Sequence, residues 1–202
     1  MVAIFFDYLF FLFNLLFTYF IFKMNLSRII KKYETSSTTA HQLLKALNFN
    51  AVSYPYSELS KFENIEDAFN GTNVMIVLYE NSKNYGHFCC VLKRKKSYEF
   101  FDSYGIFPDF QLKYTSDYFR KNNNMLYPHL SYLLYSSDKK IEYNNYIFQS
   151  LNKNIKTCGR WCLVRALLLN YDIDTFFDFI VNMSSKLNIS FDKFVVFLTL
   201  EI

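Results

Sequence analysis

Apolar and polar positions along this chain fall into three regimes. Residues 2–22, VAIFFDYLFFLFNLLFTYFIF, are apolar almost throughout, interrupted by Asp7 and Asn14; a run of that length is about what a helix needs to cross a bilayer. From Ser36 to Gly71 apolar residues recur at helical spacing. SSTTAHQLLKALNF puts Ser/Thr caps before a short amphipathic helix, and SELSKFENIEDAFNG begins polar and ends on Gly71. The pattern then turns β-rich in NVMIVLYE (73–80), GHFCCVL (86–92) and SYEFFDSYG (97–105), the last two joined by KRKK at 93–96, and this predicts a meander. Residues 110–135 fit neither period cleanly, although FQLKYTSDYFRKNN is compatible with a helix. KIEYNNYIFQS (140–150) reads as one more strand with Gln149 at its end, and helical spacing returns at 158–170, 173–186 and 190–200. No internal repeat or low-complexity linker breaks this order. Residues 24–202 are therefore expected to form one α+β domain with a central, mostly antiparallel sheet flanked by helices.

The first regime stands apart from the rest. It has no basic stretch before it and no small-residue cleavage site, so it does not resemble a cleaved signal peptide. As a membrane anchor it would leave Lys23, Arg28, Lys31 and Lys32, and the domain behind them, on the cytoplasmic side. The other reading is an upstream start, with Met24 opening the domain at MNLSRIIKKYETSSTTAHQLL. Both readings of residues 1–23 stay open on the sequence.

Composition narrows the class. At 202 residues the chain suits one domain with a substantial core, and its 51% hydrophobic content with only 4 Gly and 3 Pro excludes disordered and disulfide-scaffold classes. The net charge of +4 is mild, and KRKK between two strands reads as a solvated turn rather than a nucleic-acid surface. Four cysteines are too few for a secreted disulfide framework, so free thiols in a reducing compartment are expected. Cys89 and Cys90 are neighbours in a strand and point to opposite faces, which argues against a four-cysteine zinc site.

The remaining chemistry gathers around TCGRWC at 157–162. Cys158 stands at the start of the best-formed helical pattern, where unpaired backbone N–H groups and the positive end of the helix dipole favour a thiolate. Free cysteines are commonly core residues, so position alone does not make a nucleophile. A base is needed, and histidine has the suitable pKa. His41 on the early helix and His129 after a proline read as surface or packing residues. His87 follows a glycine in a strand, and the next strand of the same hairpin brings Asp102, an acid able to fix the imidazole tautomer. Gln149 is placed to offer a side-chain amide beside the Cys158 backbone N–H, the two parts of an oxyanion hole. Cys162, one turn deeper, lies where the amides are already bonded within the helix, so core packing is its expected role.

The order His87, Asp102, Gln149, Cys158 resembles the adenain-like viral cysteine proteases and their relatives that process ubiquitin-like modifiers. It is closest to maturation proteases of viruses, virophages and virus-like mobile elements. The resemblance covers about residues 73–170 through GHF, FFDSYG, IFQS and TCGRWC. Two departures accompany it: Phe88 stands where a tryptophan often follows the histidine, and the eight residues between Gln149 and Cys158 exceed the usual spacing, leaving Asn144 and Asn145 as alternative amide donors. The resemblance implies an adenain-like fold and peptide-bond hydrolysis through an acyl-enzyme. It implies no cofactor or metal, and virion structural precursors as the protein substrates, in the host cytoplasm or virion. It leaves open an activating peptide or nucleic acid, and a membrane contact through residues 2–22. Two other classes remain: an isopeptidase acting on host ubiquitin-like conjugates, and a non-catalytic, membrane-anchored assembly protein that keeps the fold.

Overall fold

The computed structural model describes residues 26–201, so the apolar stretch at 2–22 lies outside the described residues. Among the described residues no helix is long and apolar enough to cross a membrane. The chain opens with helices α1 (Leu26–Glu34) and α2 (Ala40–Ala46), the latter started by a capping box in which Thr39 and Gln42 satisfy each other's backbone N–H groups. Strand β1 (Val52–Pro55), a 3-10 turn (Tyr56–Lys61) and helix α3 (Ile65–Phe69) follow. Strands β2 (Val74–Ser82), β3 (Tyr85–Lys93) and β4 (Ser97–Phe101) come next. A second 3-10 turn (Phe110–Tyr114) and helices α4 (Asp117–Asn122) and α5 (His129–Tyr135) lead to strand β5 (Lys140–Tyr143). Helices α6 (Cys158–Leu167), α7 (Ile173–Leu187) and α8 (Phe191–Leu198) close the domain.

The five strands form one sheet in the order β1-β2-β3-β4-β5. The expected meander is present, β2 pairing antiparallel with β3 and β3 with β4. The sheet as a whole is mixed, however, because β1 runs parallel to β2 and β5 parallel to β4. This corrects the expectation of a mostly antiparallel sheet. Both edge strands join the meander through helical excursions rather than tight turns, and only such a crossover can bring a strand alongside in the same direction. A second correction concerns residues 140–150: the strand stops at Tyr143, and Gln149 sits in an irregular segment. That segment is held to β4's continuation by Phe148 and Gln149, whose backbone N–H groups both donate to the Ser103 carbonyl at 2.9 and 3.0 Å.

Alternation along β3 and β4 divides the interior into two cores. Phe88, Cys90, Leu92 and Phe101 face one side, where α2, α6, α7 and α8 contribute Leu43, Trp161, Phe176 and Phe194. Cys89, Val91, Tyr98 and Phe100 face the other, against the first 3-10 turn, α3 and α5. Cys89 and Cys90 thus part to opposite faces, as period two requires. Helix α6 is buried from Gly159 to Ala166 and packs on β3, so the central helix and central strand of the domain touch directly.

One charged cluster lies inside the helical side. Glu99 is buried and accepts a two-pronged interaction from buried Arg165, with both N···O distances 2.7 Å, and a further bond from Arg94 at 2.6 Å. Both guanidiniums also donate to the Tyr171 carbonyl. The KRKK turn is therefore only half solvated: Arg94 turns inward, Lys93 pairs with Glu66 at 2.8 Å, and Lys95 and Lys96 stay exposed.

Candidate active site

His87 lies near the start of β3, directly after Gly86. No larger residue fits at 86, since a Cβ there would stand 1.9 Å from the Tyr79 carbonyl oxygen on β2. The glycine lets the hairpin close tightly just where the imidazole must be held. Asp102 follows the last residue of β4 and is fully buried. Its Oδ1 is 3.2 Å from His87 Nε2 and accepts the Tyr104 backbone N–H at 2.6 Å. Its Oδ2 accepts from the Cys89 thiol at 3.1 Å and from Gln111 Nε2 at 3.0 Å. Burial alone would raise this carboxyl, but the charge and hydrogen bond of His87 and the Gln111 and Tyr104 donors bring it below its ordinary value. Asp102 is thus an ionised carboxylate with four donors on two oxygens.

The imidazole answers to that carboxylate. Burial would lower its pKa, yet Asp102 by charge and hydrogen bond, joined by Cys158, pushes it up to about 10. Its face is covered by Tyr104, stacked at 4.7 Å between ring centroids and 17° between planes. The same imidazole lies beside the Cys158 thiol in the wall of the cleft, and each shifts the other's pKa. For that thiol, burial acts upward, but the His87 hydrogen bond and charge, together with the N–H groups of Phe88 and Gly159, outweigh it and set the pKa below the ordinary 9.0. Burial drives Cys89 and Cys162 the opposite way, well above that value. Cys158 is therefore the thiol whose ionised form is favoured, beside a readily charged imidazole, while Cys89 and Cys162 are held as thiols.

His87, Gln149 and Cys158 line one open cleft of about 680 Å³, with Asp102 behind the imidazole. All four residues expected from the sequence are thus brought together. His41 and His129 do not line the cleft; His129 opens α5 and faces the Asn124 carbonyl. Gln149 is buried, with its Oε1 accepting from Ser103 at 3.0 Å and its Nε2 donating to the Tyr104 hydroxyl at 3.0 Å and the Ile155 carbonyl at 3.2 Å. Asn144 is not an alternative amide donor to the cleft. Its side chain accepts the Asp102 N–H and donates to the Asp102 and Tyr146 carbonyls, which splices the end of β4 to the end of β5.

The long segment between Gln149 and Cys158 is held from outside. Asp192 on α8 accepts the Ser150 N–H at 2.9 Å, the Thr157 hydroxyl and the Trp161 indole N–H, so one carboxylate grips both ends of the segment and the first turn of α6. Lys156 N–H donates to the Glu34 carbonyl of α1 at 2.7 Å. Tyr104, Gln111, Cys89 and Asp192 were not evident from the sequence. Tyr104 alone had a local signal: an Asp-Ser-Tyr-Gly turn returns the chain at once, with Gly105 at φ +70° and its N–H bonded to the Asp102 carbonyl.

Among the described residues, His87, Cys89 and Asp102 offer metal-ligand atoms within 4.8 Å of one another. Those atoms already satisfy each other by hydrogen bonding, and the Cys89 sulfur keeps its proton. The arrangement is one that can transfer a proton: a base between an orienting acid and a thiol, at the wall of an open cleft.

No protein-family model matches the chain. It is similar to uncharacterized protein V9 of Sputnik virophage, with 38% identity over 172 residues, 85% of this chain and 98% of that protein.

Proposed function

We propose that this chain, which belongs to the virophage protein family that includes protein V9 of Sputnik virophage, is a cysteine endopeptidase of adenain-like fold that matures virion precursor proteins. The observation that carries the reading is the Cys158–His87–Asp102 chain, in which the one thiol lowered in pKa meets an imidazole whose far nitrogen is held by a buried carboxylate. The viral relative supports a working place in the host cell or the virion.

In the proposed reaction the Cys158 thiolate attacks the scissile carbonyl carbon. The Cys158 backbone N–H and the Gln149 corner of the cleft stabilise the charge that develops on oxygen. As the tetrahedral species collapses, the His87 imidazolium gives its proton to the leaving amine, and an acyl-enzyme remains. His87, now neutral, takes a proton from the water that attacks the thioester, and expulsion of the Cys158 thiolate beside the resulting imidazolium restores the pair. Asp102 holds the ring and stays ionised throughout.

The test is co-expression of virion structural proteins with the wild-type chain or with Cys158→Ala. New termini that appear only with the wild type support the reading, and intact precursors in both samples count against it. Release of ubiquitin-like modifiers in place of precursor cleavage would keep the chemistry and reassign the substrate.

The pH dependence follows from the same pair. The ion pair forms as pH rises through the Cys158 value, below 9.0, and is lost as His87 deprotonates at about 10. A plot of kcat/KM against pH is thus expected to be bell-shaped, with its alkaline fall near pH 10. Iodoacetamide labelling of Cys158 should follow the acid limb, and in His87→Ala that limb should move upward. An acid limb that His87→Ala leaves in place would separate the thiol from the base.

A further inference from the structure

We propose that the side-chain hydrogen reaching the oxyanion comes from the Tyr104 hydroxyl, with Gln149 as its orienter; this rests on the acyl-transfer reading above. A carboxamide has two N–H hydrogens, and Gln149 has placed both, one on the Ile155 carbonyl and one on the Tyr104 oxygen. Its own oxygen is taken by Ser103. Buried and saturated in this way, Gln149 has no hydrogen left to direct at a substrate.

Tyr104 is complementary to it. Its oxygen accepts the Gln149 hydrogen and keeps its own, and among the described residues no protein acceptor takes that hydrogen. The ring is fixed by its stack on His87 and lines the cleft together with Cys158. Burial, and next the charge of Cys158, push the phenol up to about 12, so it is protonated wherever the enzyme would work. The influence is mutual: an anion that raises a phenol's pKa is stabilised by that phenol's O–H. An oxyanion forms on the carbon bonded to the Cys158 sulfur, so it arises in the same corner of the cleft.

Tyr104→Phe separates the two assignments, because it preserves the ring on His87, deletes the hydroxyl and frees one Gln149 hydrogen. Loss of one oxyanion donor should lower kcat about a hundredfold with KM little changed. Affinity for a peptide aldehyde, which adds to Cys158 as a hemithioacetal, should fall by a similar factor. The iodoacetamide rate at Cys158 and the Tm should stay as in the wild type. Unchanged kcat and aldehyde affinity would overturn the assignment and return the role to Gln149. A parallel loss of iodoacetamide reactivity would overturn it too, showing that Tyr104 acts through His87. Failure of the wild-type chain to form an aldehyde adduct would instead bring down the acyl-transfer reading, and this assignment with it.

Discussion

Cys158→Ala and His87→Ala are each expected to abolish peptide hydrolysis, a loss of the order of 10^5-fold or more on the scale seen when a covalent nucleophile or its base is removed. The size follows from the division of labour in the site. Cys158 has the lowered pKa and lies beside the imidazole, while Cys162 and Cys89 are buried as thiols. Cys158→Ser should be nearly as inert, because a hydroxyl beside the same base is a far poorer nucleophile at neutral pH. Cys162→Ala should keep most activity and lose about 1–2 kcal/mol of stability to its cavity. Asp102→Ala should fall between these, since the acid assists the base without replacing it. Hydrolysis of a short peptide, with mass spectrometry of the alkylated thiol, checks the series. A Cys158→Ala protein that still cleaves, or a label found mainly on Cys162, would refute it.

The largest loss of stability is expected at Glu99, at the opposite end of α6 from the cleft. Glu99→Ala would leave the Arg165 and Arg94 guanidiniums facing each other with no carboxylate between them, in an interior where Arg165 is fully buried. Removing one partner of a buried ion pair costs about 3–5 kcal/mol, because the remaining charge is not resolvated. For a chain of this size the corresponding fall in Tm is on the order of 10 °C. Lys139→Ala, which removes one bond to half-exposed Glu66, should cost under about 1 kcal/mol. Thermal melts of the two variants decide the matter: equal, small shifts would mean that Glu99 is effectively solvated. Cys158 should remain labelled at low temperature in both, since the cluster touches no residue of the cleft.

The parts legible in sequence were those whose signal is local. The β2–β3–β4 meander showed in three β-rich runs, and the Cys158 helix start showed in an apolar run that opens with a small polar residue. The edge strands β1 and β5 have four residues each and are only partly buried; β5 was read, within 140–150, but β1 was too short for alternation to mark it, and the parallel pairings of both went unread. The irregular path from Asn144 to Thr157 is written in bonds to distant groups, to Ser103, Asp192 and Glu34, and no spacing within the segment announces them. Gln149 was found as a residue and misplaced as an element. Tyr104 lay inside a motif read for its aspartate alone. The KRKK run was half misjudged because Glu99, buried in the next strand, draws Arg94 inward.

The grip of Asp192 has a dynamic consequence. His87 and Asp102 belong to the meander and its immediate continuation, the most extensively bonded part of the fold, whereas the stretch from Ser150 to the first turn of α6 takes its outer bonds from α8, through Asp192 and through Arg160, which donates to Thr199 at the end of that helix, and α8 in turn packs on α1. Such a division defines two units that can open separately. Detachment of α1 and α8 would loosen the 150–157 segment that leads into Cys158, while the acid–base half and the body of α6 stayed packed on the sheet. The Ser150 amide proton and the Trp161 indole proton would then exchange with solvent together with the amides of α8, earlier than those of β3, and a chain that had lost its activity to such an opening would still carry an intact sheet.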